Sequence, residues 1–285
     1  MALGTQGPIL AACFAFFLSL SAQAMTPVDA SNQVQAVLHT MDHVPAAFLP
    51  ESSNLPKIIF VRLDPEDPWS LGIVRVMRVK ASGKLFQAVL DDIPAYVGLF
   101  KDLNVATRTP ASVGGGFVLF TETEIPLPFV ANDRTSVRYG TRKSGEYTLS
   151  DFSLVESNHL KSFEGAALMA PVGKGEVVYW KVTFIKVDYG AARVLPPKMF
   201  WVKNALGGLQ ADWALKLRAE ETSLAPENAL KQSEAFSHTQ EDAVSAAFDN
   251  ANSFDDFLKN LTPVTSAGHA FWPTTPWHGS RIGEL

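Results

Sequence analysis

Cysteine is almost missing from this 285-residue chain; Cys13 is the only one. A lone cysteine forms no disulfide within the chain and cannot build a thiolate zinc site. Charge is sparse as well, at 19% of residues, and acidic residues (29) outnumber Lys and Arg (24) for a net charge of −5. That balance makes nucleic acid a poor partner. The chain also lacks a G-x-S-x-G elbow, a Walker loop and a G-x-G-x-x-G turn. No cofactor is therefore expected. His39 and His43 stand four residues apart, but no clear third ligand follows, so they read as solvated surface residues and no metal is expected. What the chain does have is apolar material, 47% of its residues. That is enough for a packed core of one to two domains.

The first apolar run, residues 8–22, is too short to cross a bilayer comfortably. Ala22-Gln23-Ala24 follows it as an A-x-A-like cleavage site, so residues 1–24 read as a secretory signal peptide. No Lys or Arg precedes the run. Leu10-Ala11-Ala12-Cys13 also matches a bacterial lipobox, although most of the apolar run comes after the Cys. Export to a periplasm is the expectation. A mature protein without disulfides then depends on its core.

Residues 25–69 form an N-terminal extension, with a short helix around Val34–Met41 and a strand at 58–61. From residue 70 the pattern is more regular. Ile73–Val79 reads as a strand, and Ser82 can cap a helix through Leu90. Asp91 and Asp92 can cap a second helix over Ile93–Lys101. Strands are predicted at Val105–Thr109, Gly116–Glu124, Arg134–Arg142, Tyr147–Val155 and Glu176–Val187, with a short extra one at Ala166–Met169. After Pro196-Pro197 the apolar period changes to helical, and Val202, Leu206, Leu209 and Trp213 make one stripe of a long helix over Lys198–Glu221. Its Gly207-Gly208 pair marks a kink or a close approach by a neighbour. Residues 222–285 read as a C-terminal extension: a polar linker over 222–238, a helix over Gln240–Leu261 and an irregular aromatic tail.

The order is strand, two short helices, a run of antiparallel strands, then a long helix. With several local stretches it resembles the START/polyketide-cyclase (SRPBCC) superfamily over residues 70–221. Ser82–Lys101 is similar to the family's first helix pair. Phe120–Arg134 is similar to its strand and Pro-rich turn, though Asp133-Arg134 reverses the family's Arg-Asp order. Phe163–Gly175 resembles its glycine loop, and Val187-Asp188-Tyr189-Gly190 before Pro196-Pro197 resembles the approach to its last helix. The resemblance implies an α+β helix-grip fold, in which a curved antiparallel sheet wraps a long C-terminal helix. It also implies a lipid or isoprenoid-like ligand, transient membrane contact, and a lid made of the long helix and the loop at 157–175.

Alternation along Glu176–Val187 makes Val178, Trp180, Val182 and Phe184 the apolar set, with Phe152 and Leu154 beside them on the preceding strand. Together with Val202, Leu206, Leu209 and Trp213 they are the expected cavity lining; the same residues would equally fill a solid core. Slipping the register by one residue would turn Lys181 and Thr183 inward and make the site polar. Asp151, Arg138 and Lys181 are strand charges that become functional candidates if they face the cavity. A non-catalytic binding module is expected. The alternatives are a cyclase/aromatase-type enzyme in the same cavity, or a structural, partner-binding protein.

Overall fold

The computed structural model describes residues 56–62, 67–111, 116–125, 131–144, 147–172, 174–188 and 196–249. The signal-peptide reading, the helix at 34–41 and the aromatic tail lie outside these residues. Eight antiparallel strands form one sheet. They are β1 (Lys57–Arg62), β2 (Ser70–Val79), β3 (Leu103–Pro110), β4 (Phe117–Thr123), β5 (Asp133–Ser144), β6 (Tyr147–Ser157), β7 (Leu160–Pro171) and β8 (Val177–Val187). Their spatial order is β1-β2-β8-β7-β6-β5-β4-β3. Strands β3 to β8 are a simple meander. The chain's early strand β2 then pairs with its last, β8, with Val74 opposite Val182. Strand β1, read from sequence as part of an extension, is the sheet's edge.

Between β2 and β3 lie helix α1 (Gly83–Asp91), a 3₁₀ turn (Ile93–Ala95) and the single-turn helix α2 (Tyr96–Leu99). Ser82 caps α1 as expected, its Oγ accepting from the Leu85 N–H at 3.3 Å. The two aspartates behave differently. Asp92 makes no side-chain cap; it lies 3.8 Å from Arg218, and Asp91 lies 3.6 Å from Arg108.

Helix α3 (Pro197–Glu220) is cradled by the sheet, and helix α4 (Pro226–Asp249) lies along its far side. Pro196-Pro197 starts α3 where a missing N–H costs little. Trp201 anchors it: the ring is fully buried against Leu71, Ile73 and Ile185, and its Nε1 donates to the Pro68 carbonyl at 2.8 Å. On the other side Trp213 stacks on Phe236 of α4, centroids 4.5 Å apart. Helix α4 takes in the stretch read from sequence as a polar linker. Its buried face is carried by small or widely spaced residues, Ala229, Ser233 and Val244, which leave little apolar signal.

Strand β7 corrects another reading. Leu160–Pro171 is a twelve-residue strand between β6 and β8, so most of 157–175 is interior sheet and not a lid. Ala166 to Ala170 are buried on both faces, which removes the alternation that marks a half-exposed strand. Gly165 is required there, because a Cβ would overlap the Val182 carbonyl and the Phe152 ring.

Candidate ligand cavity

A cavity of about 610 Å³ lies between α3 and the inner face of the sheet. Its walls are mainly apolar and include Ile73, Leu119, Val137, Phe163, Ile185 and Phe200. A second space of about 300 Å³ continues it toward α1 and α2. Arg75, Leu119, Thr121, Thr123, Tyr139 and Ala211 line both, so the two are compartments of one interior.

Strands β2, β4, β5 and β8 present their odd-numbered residues to this space. On β8 these are Tyr179, Lys181, Thr183, Ile185 and Val187, and on β2 they include Ile73 and Arg75. Alternation then fixes the other set. Val178, Trp180, Val182 and Phe184 are at most 2% exposed, but they lie on the opposite face of β8. Val74 and Val76 of β2 and Leu168 of β7 share that face and are as deeply buried. The expected lining on this strand is thus corrected by one residue. The cause is physical: both faces are buried, so the more apolar face is packing and the mixed face is the cavity wall.

The helix stripe is corrected in the same way. None of the four stripe residues is in the cavity wall: Trp213 stacks on Phe236 of α4, and Val202, Leu206 and Leu209 belong to the apolar cluster that also holds Phe236 and Val244 of α4. The cavity instead meets Phe200, Lys203, Asn204, Gly207, Gly208 and Ala211. Of the two expected β6 residues, Phe152 lines the inner compartment, between Tyr139 (5.6 Å) and Phe163 (5.4 Å). Leu154 is half-buried opposite Val137 and outside the lining.

The glycine pair has distinct roles. A Cβ on Gly208 would stand 2.6 Å from Arg75 Nη1, so the missing side chain lets the guanidinium lie against the helix backbone. A Cβ on Gly207 would meet nothing within 4 Å, because it points into the cavity.

Polar groups gather where the compartments meet. Arg75 Nη1 lies 3.3 Å from Asp212 Oδ1, and both side chains are largely buried. Lys181 sits directly opposite Arg75 across the β2–β8 ladder. Its ammonium is 5.1 Å from the centre of the Phe152 ring. Burial, reinforced by the Arg75 charge, lowers the Lys181 pKa to about 8. Burial raises the Asp212 pKa against the pull of Arg75 and Lys181. Burial also pushes the Tyr139 phenol up to about 12 and raises Tyr179. Lys181 was singled out by sequence as a strand charge; Arg75, Asp212 and the two tyrosines were not. Arg75 stands between Val74 and Val76 in the apolar middle of β2, which is the one signal that marked it.

At the other end, Asp133, His159, Leu160, Phe200 and Lys203 line the cavity. His159 Nε2 lies 3.0 Å from the Ala131 carbonyl. Among the described residues no cluster of His, Cys, Asp and Glu could hold a metal ion, and no helix is long and apolar enough to cross a membrane.

No protein-family model matches the chain, and no curated protein does. Solved structures similar to it include a STAR-related lipid transfer protein from Xanthomonas axonopodis (16% identity, TM-score 0.41, covering 66% of this chain and 96% of that one). The lipid transfer and protein localization domain of human StarD13 is similar at 13% identity and TM-score 0.41, covering 73% and 97%. The Zhui aromatase/cyclase from Streptomyces sp. R1128 is similar at 10% identity and TM-score 0.37, covering 67% and 92%. All three likenesses are distant, with TM-scores below 0.5. The meander closed by β2 and β8, with α3 cradled on its inner face, is a START-like helix-grip.

Proposed function

We propose that the protein binds a hydrophobic small molecule in this cavity and works as a carrier rather than as an enzyme. The observation that carries the reading is the 610 Å³ interior space with mainly apolar walls, continued by a second space of about 300 Å³. Each CH₂ transferred from water into such a space contributes about 0.8 kcal/mol. A chain or ring system of modest size therefore gains enough to offset the cost of immobilisation. The ligand passes between the first turns of α3, at Phe200, Lys203 and Asn204, and the β6–β7 turn, at His159 and Leu160. Export through residues 1–24 belongs to the same reading; N-terminal sequencing of the protein from its host should then find Met25 first. Native mass spectrometry of that protein tests the carrier role. The expected result is a bound small molecule that organic extraction removes and that partitions into solvent. A protein that carries nothing and takes up no apolar probe contradicts the reading.

A further inference from the structure

The junction of the two compartments has more positive charge than it can neutralise by itself. Arg75 and Lys181 are direct cross-strand partners on the inner face of the sheet, an arrangement in which like charges oppose pairing. One carboxylate, Asp212, serves both, and it stands against Arg75. Among the described residues no acidic oxygen lies within 4.0 Å of the Lys181 ammonium, whose partner there is the face of Phe152. Two residues along the same face of β8, the Thr183 hydroxyl is buried in the cavity wall, 3% exposed, and has no hydrogen-bond partner among the described residues. A half-buried ammonium with no carboxylate beside it and a buried hydroxyl without an acceptor both carry a cost. Both costs fall away if a ligand supplies oxygen atoms at that point.

We infer that the ligand is an apolar monocarboxylate: its acid group sits between Lys181 and Thr183 beside Arg75, and its hydrocarbon part fills the large compartment. The charge count fits one negative group, since two cations and one carboxylate leave a single positive charge. The other charges that face the interior, Asp133, His159 and Lys203 in one compartment and Asp91 and Lys101 in the other, lie toward its ends and leave the junction charge unchanged. A carboxylate can accept from the ammonium and the hydroxyl together, and hydrogen bonds to a charged group are the stronger kind. Ala167, the neighbour of Lys181 on β7, is too small to obstruct the site. Phe152 closes it from β6.

This inference rests on the carrier reading, and one assay separates the two. N-phenyl-1-naphthylamine, a neutral fluorescent probe, is loaded into the full-length protein. It is then displaced with decanoate or with decan-1-ol at pH 7, below the micellar concentration of the acid and the solubility limit of the alcohol. Decanoate should displace the probe at a concentration at least about tenfold lower than decan-1-ol. In Lys181→Met and in Lys181→Gln, which keeps a donor but not the charge, that ratio should fall to about one. Equal displacement by acid and alcohol in the wild type, or a ratio that survives both substitutions, overturns the carboxylate assignment while the carrier reading stands. Failure of the probe to bind the wild type overturns both.

Discussion

The two faces of β8 differ in composition and in purpose. One face carries Val178, Trp180, Val182 and Phe184, all deeply buried and all apolar. The other carries Tyr179, Lys181, Thr183, Ile185 and Val187, and it borders the cavity. A solid core favours apolar side chains, because a polar group there costs free energy unless it finds a hydrogen-bond partner. A cavity wall is less restricted, since a ligand or solvent can complete the hydrogen bonds of its polar groups. Here the more hydrophobic face is packed, and the chemically mixed face borders the cavity.

Substituting one residue on each face should sharpen that contrast. The largest effect is expected for Trp180→Ala, which should lower unfolding free energy by about 3–5 kcal/mol in chemical denaturation, as truncation of a packed Trp does. Probe affinity per folded molecule should stay close to wild type. A stable Trp180→Ala protein with altered affinity would place Trp180 in the site after all.

Lys181→Met should act in the opposite direction, raising the stability of the empty protein at pH 7 by roughly 3 kcal/mol, the scale of a pKa lowered to about 8. The sign follows from proton binding. Between about pH 8 and 10.5 the unfolded chain still holds the Lys181 proton and the folded one has released it. Wild-type stability should therefore rise with pH across that window. Denaturant midpoints measured at pH 7, 8 and 9 should show the rise in the wild type and its absence in the variant. Parallel curves would mean that Lys181 is solvated like a surface lysine.

The smallest effects belong to the glycine pair. Gly207→Ala should stabilise by about 1 kcal/mol, since helix propensity improves and the added methyl enters open space. Gly208→Ala should lose that gain or reverse it, because its methyl meets Arg75 at 2.6 Å. Equal melting-temperature shifts for the two would show that the guanidinium does not lie against the helix.

The helix-grip architecture was legible because its signals are local. Alternation marked most strands, Pro196-Pro197 marked the start of α3, and the change of period marked its length. The site was less legible for one reason that recurs in three places. Strand β8 is buried on both faces, β7 is buried on both faces over Ala166–Ala170, and α3 is covered by the sheet on one side and by α4 on the other. Hydrophobic periodicity separates buried from exposed, but it does not separate two buried faces from each other. On α3 it picked out Leu206, Leu209 and Trp213, which pack away from the cavity, over Gly207, Gly208 and Ala211, which meet it. The informative signal was polarity in an apolar context. Arg75 in β2 and Lys181 in β8 are the residues that an interior strand would exclude unless they faced something other than packing.

The central claim is that the space between α3 and the mixed face of β8 takes up an apolar molecule. Fluorescence titration of N-phenyl-1-naphthylamine into the wild type and Gly207→Phe tests it most directly, because a side chain at residue 207 starts in open space on the cavity wall. The account predicts saturable binding at one site in the wild type. It also predicts loss of that binding in Gly207→Phe, with melting temperature equal to or above wild type. Undiminished binding in a folded Gly207→Phe would put the probe elsewhere and contradict it.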